Sequence, residues 1–409
     1  MKQVLLISIA AALGTLGFAG CDAASPPGGA LPGDAELDAG ASGGSLTQIL
    51  REQDPFARAR ALGALLPTLG PEAVAEVKQI FRDPSLERGA AEYELLIRFW
   101  ARHDPAEATR WAADWSPIFY RSAAVTATLP HWVAADLQAA LVAVQNWMEY
   151  RPDVREAAAR GLVLGWYDAG HPGLAQYIHD LGSGFDQQTA LATFLRAMTL
   201  KEGGDAVIRW AESVPEDDGD YKLAVYRQVA SVLPLYDHAA AMRWCEAQCD
   251  GPFGKNLRQL LAMRWVLTDG PAALEWLSAA PDGYERNLAV RASFAVWVNQ
   301  DPEGVLAWMA AQTRDGELPA WLEPAVPVYA LLLADRRSPS DAIAWAQRIE
   351  KELEREMTLI KIARTWRASD EAAAEAWLEA SPLSEDARAK VRDPNSNWRK
   401  GGAPKAAGS

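Results

Sequence analysis

One register runs through most of this 409-residue chain. Val77, Trp111, Ala143, Tyr177, Trp210, Trp244, Trp276, Trp308, Trp345 and Trp377 follow one another at intervals of 32 to 37 residues. Self-similarity at such a period restricts a chain to stacked supersecondary units, because one unit is too small to bury its own apolar face and covers it with the next. Seven residues before each register position stands Gly70, Asp104, Asp136, Gly170, Gly203, Asp237, Asp269, Asp301, Ser338 or Asp370. These residue types start helices: an Asp or Ser oxygen accepts one of the unpaired first N–H groups, and glycine tolerates the turn. Proline follows at once in Pro71, Pro105, Pro302 and Pro339, where its fixed φ suits the first helical position. Three residues before the register position comes Val74, Ala108, Ala140, Leu174, Val207, Ala241, Ala273, Val305, Ala342 or Ala374, on the same helical face as the aromatic.

A second column lies eleven residues before the first: Leu66, Trp100, Trp132, Trp166, Thr199, Leu233, Trp265, Trp297, Ala334 and Trp366. A helix start separates the two columns, so this Trp ends the preceding helix and the unit is a pair of antiparallel helices with short connections. Stretches such as 288–297 carry helical apolar spacing and no strand alternation. The expected fold class is all-α: an α-solenoid of about ten antiparallel helical hairpins with a period of 32–37 residues, covering 46–392. Residues 46–66 read as its N-terminal cap and 384–409 as a degraded C-terminal one, with 393–409 irregular.

Over 46–392 the pattern resembles the tetratricopeptide class of helical-hairpin repeats and, less closely, the HEAT class. It is most similar to a bacterial Asp-Pro-x2-Ala-x2-Trp repeat, seen here as Asp104-Pro105 with Ala108 and Trp111. The resemblance implies a superhelix whose concave face holds proteins or peptides, without chemistry of its own.

The N-terminus reads as an address. Lys2 precedes an apolar run from Val4 to Phe18, too short for a span of about twenty residues and of the right size for an export signal over 1–20. The run ends in Phe18-Ala19-Gly20-Cys21, which resembles the bacterial lipobox and implies lipidation at Cys21. The expected location is therefore outside the cytoplasm, anchored by lipid to a bacterial membrane and facing the periplasm or the cell surface. Residues 22–45 are rich in Gly, Ala, Pro and Ser and lack the apolar surface to offset the entropy of ordering, which makes 21–45 a lipidated tether. As a flexible chain it reaches about 27 Å.

A net charge of −14 argues against nucleic acid as a partner, since phosphate backbones are repelled on average. No His-Glu-x2-His, Gly-x-Ser-x-Gly or phosphate-binding glycine loop occurs. No catalytic residue, metal ligand or cofactor is therefore assigned. Cys245 and Cys249, four apart, would place their Cα atoms about 6 Å apart on a helix, within disulfide range but with parallel side chains. They read as half-buried thiols or as a disulfide.

Thirteen of the seventeen Trp occupy the two columns and are expected to pack between neighbouring units. Trp398 stands at a column offset beyond Asp393-Pro394. Trp115 and Trp147 each lie one turn past a register position, Trp115 beside Phe119 and Tyr120, and Trp321 falls in the one long unit among three prolines. Insertions in repeat arrays often carry binding. Trp115, Phe119, Tyr120, Trp147 and Trp321 are accordingly the candidate partner-binding residues, the partner being an envelope protein or peptide. The rival reading is an all-α enzyme or binder acting on peptidoglycan or another polysaccharide, which requires carboxylates paired in a cleft.

Overall fold

The computed structural model describes residues 45–86, 88–313 and 317–393. Cys21 and Trp398 lie outside them. The described residues form an all-α fold of 22 α-helices and four short 3-10 helices, with no strand. None of the helices is long and apolar enough to cross a membrane.

The helix boundaries follow from a repeated junction. Trp100, Trp132, Trp265, Trp297 and Trp366 each sit in the last turn of a helix, and each backbone carbonyl accepts the N–H of the Asp four residues on, at 2.7 to 2.9 Å. That Asp then caps the next helix. Asp104 accepts from the Glu107 N–H at 3.1 Å, Asp136 from Ala139 at 2.9 Å, Asp269 from Ala272 at 3.0 Å, Asp301 from Gly304 at 2.9 Å and Asp370 from Ala373 at 3.0 Å. Asp237 and Ser338 cap in the same way. One residue thus closes one helix and opens another, satisfying orphan groups at both ends.

The junction brings the two columns together. Ring centroids lie 5.5 Å apart for Trp100 and Trp111, 5.2 Å for Trp166 and Tyr177, 6.0 Å for Trp265 and Trp276, 5.4 Å for Trp297 and Trp308, and 6.3 Å for Trp366 and Trp377. These are tilted or edge-to-face arrangements of the kind aromatic quadrupoles favour. Trp100, Trp132, Trp166, Trp244, Trp265 and Trp297 are buried, while Trp111, Trp210, Trp276, Trp308, Trp345, Trp366 and Trp377 are half-buried. The whole aliphatic column is buried.

Along the chain, helices Ala90–His103, Ile118–Ala135, Arg155–Ala169, Phe185–Glu202, Gly219–Val232, Leu257–Trp265 and Tyr284–Gln300 each pack against the next. Val326–Arg336, Glu352–Ser369 and Glu385–Arg392 continue the series. Two of these helices approach closely at Gly165, where a Cβ would stand 2.6 Å from the Pro130 Cα. Buried side chains form two clusters, Leu46 to Leu261 and Ala262 to Val391, and Trp276 packs against both.

A further column is not evident in the sequence. Arg88, Arg121, Lys222, Arg355 and Arg388, all near the starts of second helices, donate to main-chain carbonyls at or just beyond the end of the preceding first helix: Ile80, Ser116, Val214, Ile349 and Ser381 respectively. Gln187 does the same to Ile178 at 3.4 Å and His179 at 3.3 Å. The last carbonyls of a helix are unpaired and carry its negative dipole end, so a cation there supplies hydrogen bonds and charge together.

Candidate functional site

The first helix of the second full unit, Pro105–Trp115, ends at a Ser116-Pro117 turn before Ile118–Ala135 begins. Around this turn Trp115 is 73% exposed, Ile118 62% and Phe119 92%. Three large apolar side chains thus face solvent within five residues, on a backbone that is firmly held. The Ser116 carbonyl accepts from two Arg121 nitrogens, Nε and Nη2, at 3.1 and 2.9 Å, and its hydroxyl shares a 2.6 Å hydrogen bond with the buried Tyr93. Arg151 donates to the Ala113 carbonyl and to Asp114, both at 2.8 Å. Asp153 joins Arg151 to Arg121, at 3.0 and 2.8 Å. Its hydrogen bonds from Arg151 first, and then from Arg121, outweigh partial burial and hold its pKa down to about 2. Burial pushes the Tyr93 phenol up to about 12. Trp115 and Phe119 are therefore presented by a pre-ordered turn, which lowers the entropy lost on association.

The other candidates are placed differently. Tyr120 is half-buried, stacked on Tyr93 with centroids 4.8 Å apart. Trp147 is buried and meets Trp132 edge-on at 6.4 Å. Because register position 143 is Ala, that space is open and Trp147 fills it from the next turn; Trp147 belongs to the core and offers no ring face to a partner. Trp321 is half-buried in the 3-10 helix Ala320–Ala325 and meets Trp308 edge-on at 6.3 Å, so it too is largely a packing residue.

Cys245 and Cys249 form a disulfide, and both are buried. The α-helix His238–Gln248 ends one residue before Cys249, and the two Cα atoms are 4.7 Å apart. The regular-helix spacing of about 6 Å with parallel side chains does not hold at this helix end, and the half-buried free-thiol alternative is set aside.

The long unit builds a cleft of about 710 Å³, within the range of small-ligand sites. Its walls come from the start of Tyr284–Gln300, from residues 317–326 and from the loop before Glu352–Ser369. Arg291 ties the walls together by donating to the Pro324 carbonyl at 3.2 Å and pairing with Glu354. Arg348 lies over the Trp345 ring at 4.7 Å. Glu317, Glu323 and Glu350 also line the cleft and pair with no cation among the described residues. Sequence reasoning missed these residues because they are spread over some seventy positions; the 37-residue interval between Trp308 and Trp345 was the available signal. Among the described residues no three His, Cys, Asp or Glu side chains converge as a metal site.

The chain matches no protein-family model, no curated protein and no solved structure.

Proposed function

We propose that this protein is a binding scaffold: an α-solenoid of about ten helical hairpins, exported, tethered to a bacterial membrane through lipid at Cys21, and holding a protein or peptide partner at the turn that carries Trp115 and Phe119. The observation that carries the reading is the exposure of Trp115, Ile118 and Phe119 on a hydrogen-bonded turn, in a chain whose column Trp are buried or half-buried. Exposed aromatic anchors that are already ordered dominate interface energies. Packing of each helix pair on its sequence neighbours supports the stacked-hairpin architecture. The Cys245–Cys249 disulfide supports export, because such bonds persist in oxidising compartments.

The test is in-cell photo-crosslinking from position 119, with position 200, another exposed large apolar side chain away from the turn and from the cleft, as the control. A partner captured from 119 and lost in Trp115→Ala, at unchanged melting temperature, supports the reading. Equal capture from both positions, or capture that simply follows the folded fraction, refutes it. A second reading, an enzyme or binder for peptidoglycan or another polysaccharide, is favoured by the carboxylates Glu317, Glu323, Glu350 and Glu354 around one cleft. Release of soluble product from purified peptidoglycan, abolished by Glu323→Gln or Glu350→Gln, is its test.

A further inference from the structure

Independently of the Trp115 turn, the cleft of the long unit has features of a site for an extended cationic segment. Its apolar wall comprises Leu288, Leu318 and Ile349. Around that wall stand three carboxylates without a cation partner among the described residues, Glu317, Glu323 and Glu350, together with the cations Arg348 and Lys351 and the Arg291–Glu354 pair.

The chain carries one segment with the matching composition. Residues 394–409 contain Arg399, Lys400 and Lys405, no acidic residue, and a single large apolar side chain, Trp398. The rest of the chain stands at −17 against −14 for the whole, so this segment is drawn to its own body.

The root of the segment is held at the far end of a helix that also lines the cleft. The Asp393 carbonyl accepts from Arg364 at 2.9 Å and the Arg392 carbonyl from Arg367 at 2.9 Å. Arg364 and Glu354 are on the same helix, Glu352–Ser369, and ten residues of helix span about 15 Å. Seven residues of extended chain, from Asp393 to Lys400, reach about 23 Å. Twelve residues, from Asp393 to Lys405, reach about 40 Å, so the segment is long enough to run the length of that helix to Glu354, which lines the same cleft as the three carboxylates.

We propose that the cleft is a peptide-binding site whose resident occupant is the chain's own segment 398–405, with Trp398 against Leu288, Leu318 and Ile349 and the lysines on Glu317, Glu323 and Glu350. An outside peptide would then have to displace it. The site is specific to this unit because only the 37-residue interval supplies the wall 317–326.

The full chain tests this directly. An equal mixture of unlabelled and nitrogen-15-labelled protein is treated with a carbodiimide, which joins a lysine amine to a carboxylate in contact with it, and linked peptides are identified by mass. The expected links run from Lys400 or Lys405 to Glu317, Glu323 or Glu350, within one isotopic copy, and their yield falls at least threefold in Trp398→Ala, which keeps every lysine. Links confined to Glu371 or Glu375, which pair with Arg367 and Arg392 at the root, would overturn the proposal. So would cleft links that join labelled to unlabelled chains, and so would a cleft-link yield unchanged by Trp398→Ala.

Discussion

Gly270 and Trp297 lend themselves to a double-mutant test of how the repeat junction packs. Gly270 opens the helix Gly270–Ser278 directly after its cap Asp269, and a Cβ built on it stands 2.3 Å from the Trp297 Cε2 and 2.4 Å from Cδ2. The indole thus lies on the Gly270 backbone, 4% exposed, with the Trp308 ring edge-on to it at 5.4 Å between centroids. Gly270 does not have a positive φ; because it precedes Pro271 in the helix, alanine there carries a pre-proline cost as well as meeting the ring, and that cost is the same with or without the indole. An ordinary carbon contact is about 3.5–4.0 Å, so Gly270→Ala must move a packed indole by more than 1 Å, costing about 1–3 kcal/mol. Trp297→Ala removes the ring and should cost about 3–5 kcal/mol. With the indole gone the three atoms nearest the new methyl are gone too, so Gly270→Ala on the Trp297→Ala background should keep only its pre-proline cost and lose the cost of displacing the ring. The coupling energy is then about 1–3 kcal/mol, well above the scatter of independent sites. Urea unfolding followed by far-ultraviolet circular dichroism on the four proteins measures it. Additivity within about 0.5 kcal/mol would mean that the ring does not rest on this glycine, and the account of the junction would be wrong.

Four further outcomes are expected. Trp115→Ala and Phe119→Ala should shift unfolding by less than about 0.5 kcal/mol, the usual range for surface changes, whereas Trp100→Ala should cost about 3–5 kcal/mol; urea midpoints decide between them. Replacing both Cys245 and Cys249 by alanine should cost about 2 kcal/mol from the short loop the disulfide closes, checked by the same titration with an alkylation assay showing no free thiol at either position in the unreduced protein. Asp269→Ala should lose about 1 kcal/mol of cap energy, read as faster hydrogen exchange in the first turn of Gly270–Ser278. His179 bonds to Asp180 at 3.0 Å and Asp218 at 2.6 Å, and these bonds raise its pKa, the Asp180 bond first. A raised folded-state pKa stabilises fully below the unfolded value of about 6.5 and fades as pH rises through the folded one. His179→Gln should therefore destabilise most at pH 5.5 and least at pH 8.5; a deficit that stays constant with pH would rule the pairing out.

The helix starts, the alternation of helix ends and caps, and the burial of the aliphatic column were legible in the sequence because each depends on interactions within about eleven residues. A cap accepts an N–H three residues on, a column aromatic meets the ring eleven residues before it, and those spacings survive any larger arrangement. Tertiary structure decided the rest. Trp115 and Trp147 both stand four residues after a register position, so local pattern does not separate them. Trp111 already fills its place and leaves Trp115 outside, whereas Ala143 leaves a void that draws Trp147 in. The disulfide depended on a Cα separation of 4.7 Å, shorter than the spacing of about 6 Å that a regular helix gives. The cleft depended on Arg291 meeting Glu354, 63 residues away. Contacts at that distance are set by how successive helices stack, and no periodicity read along one strand of sequence encodes which side chains the stack brings face to face.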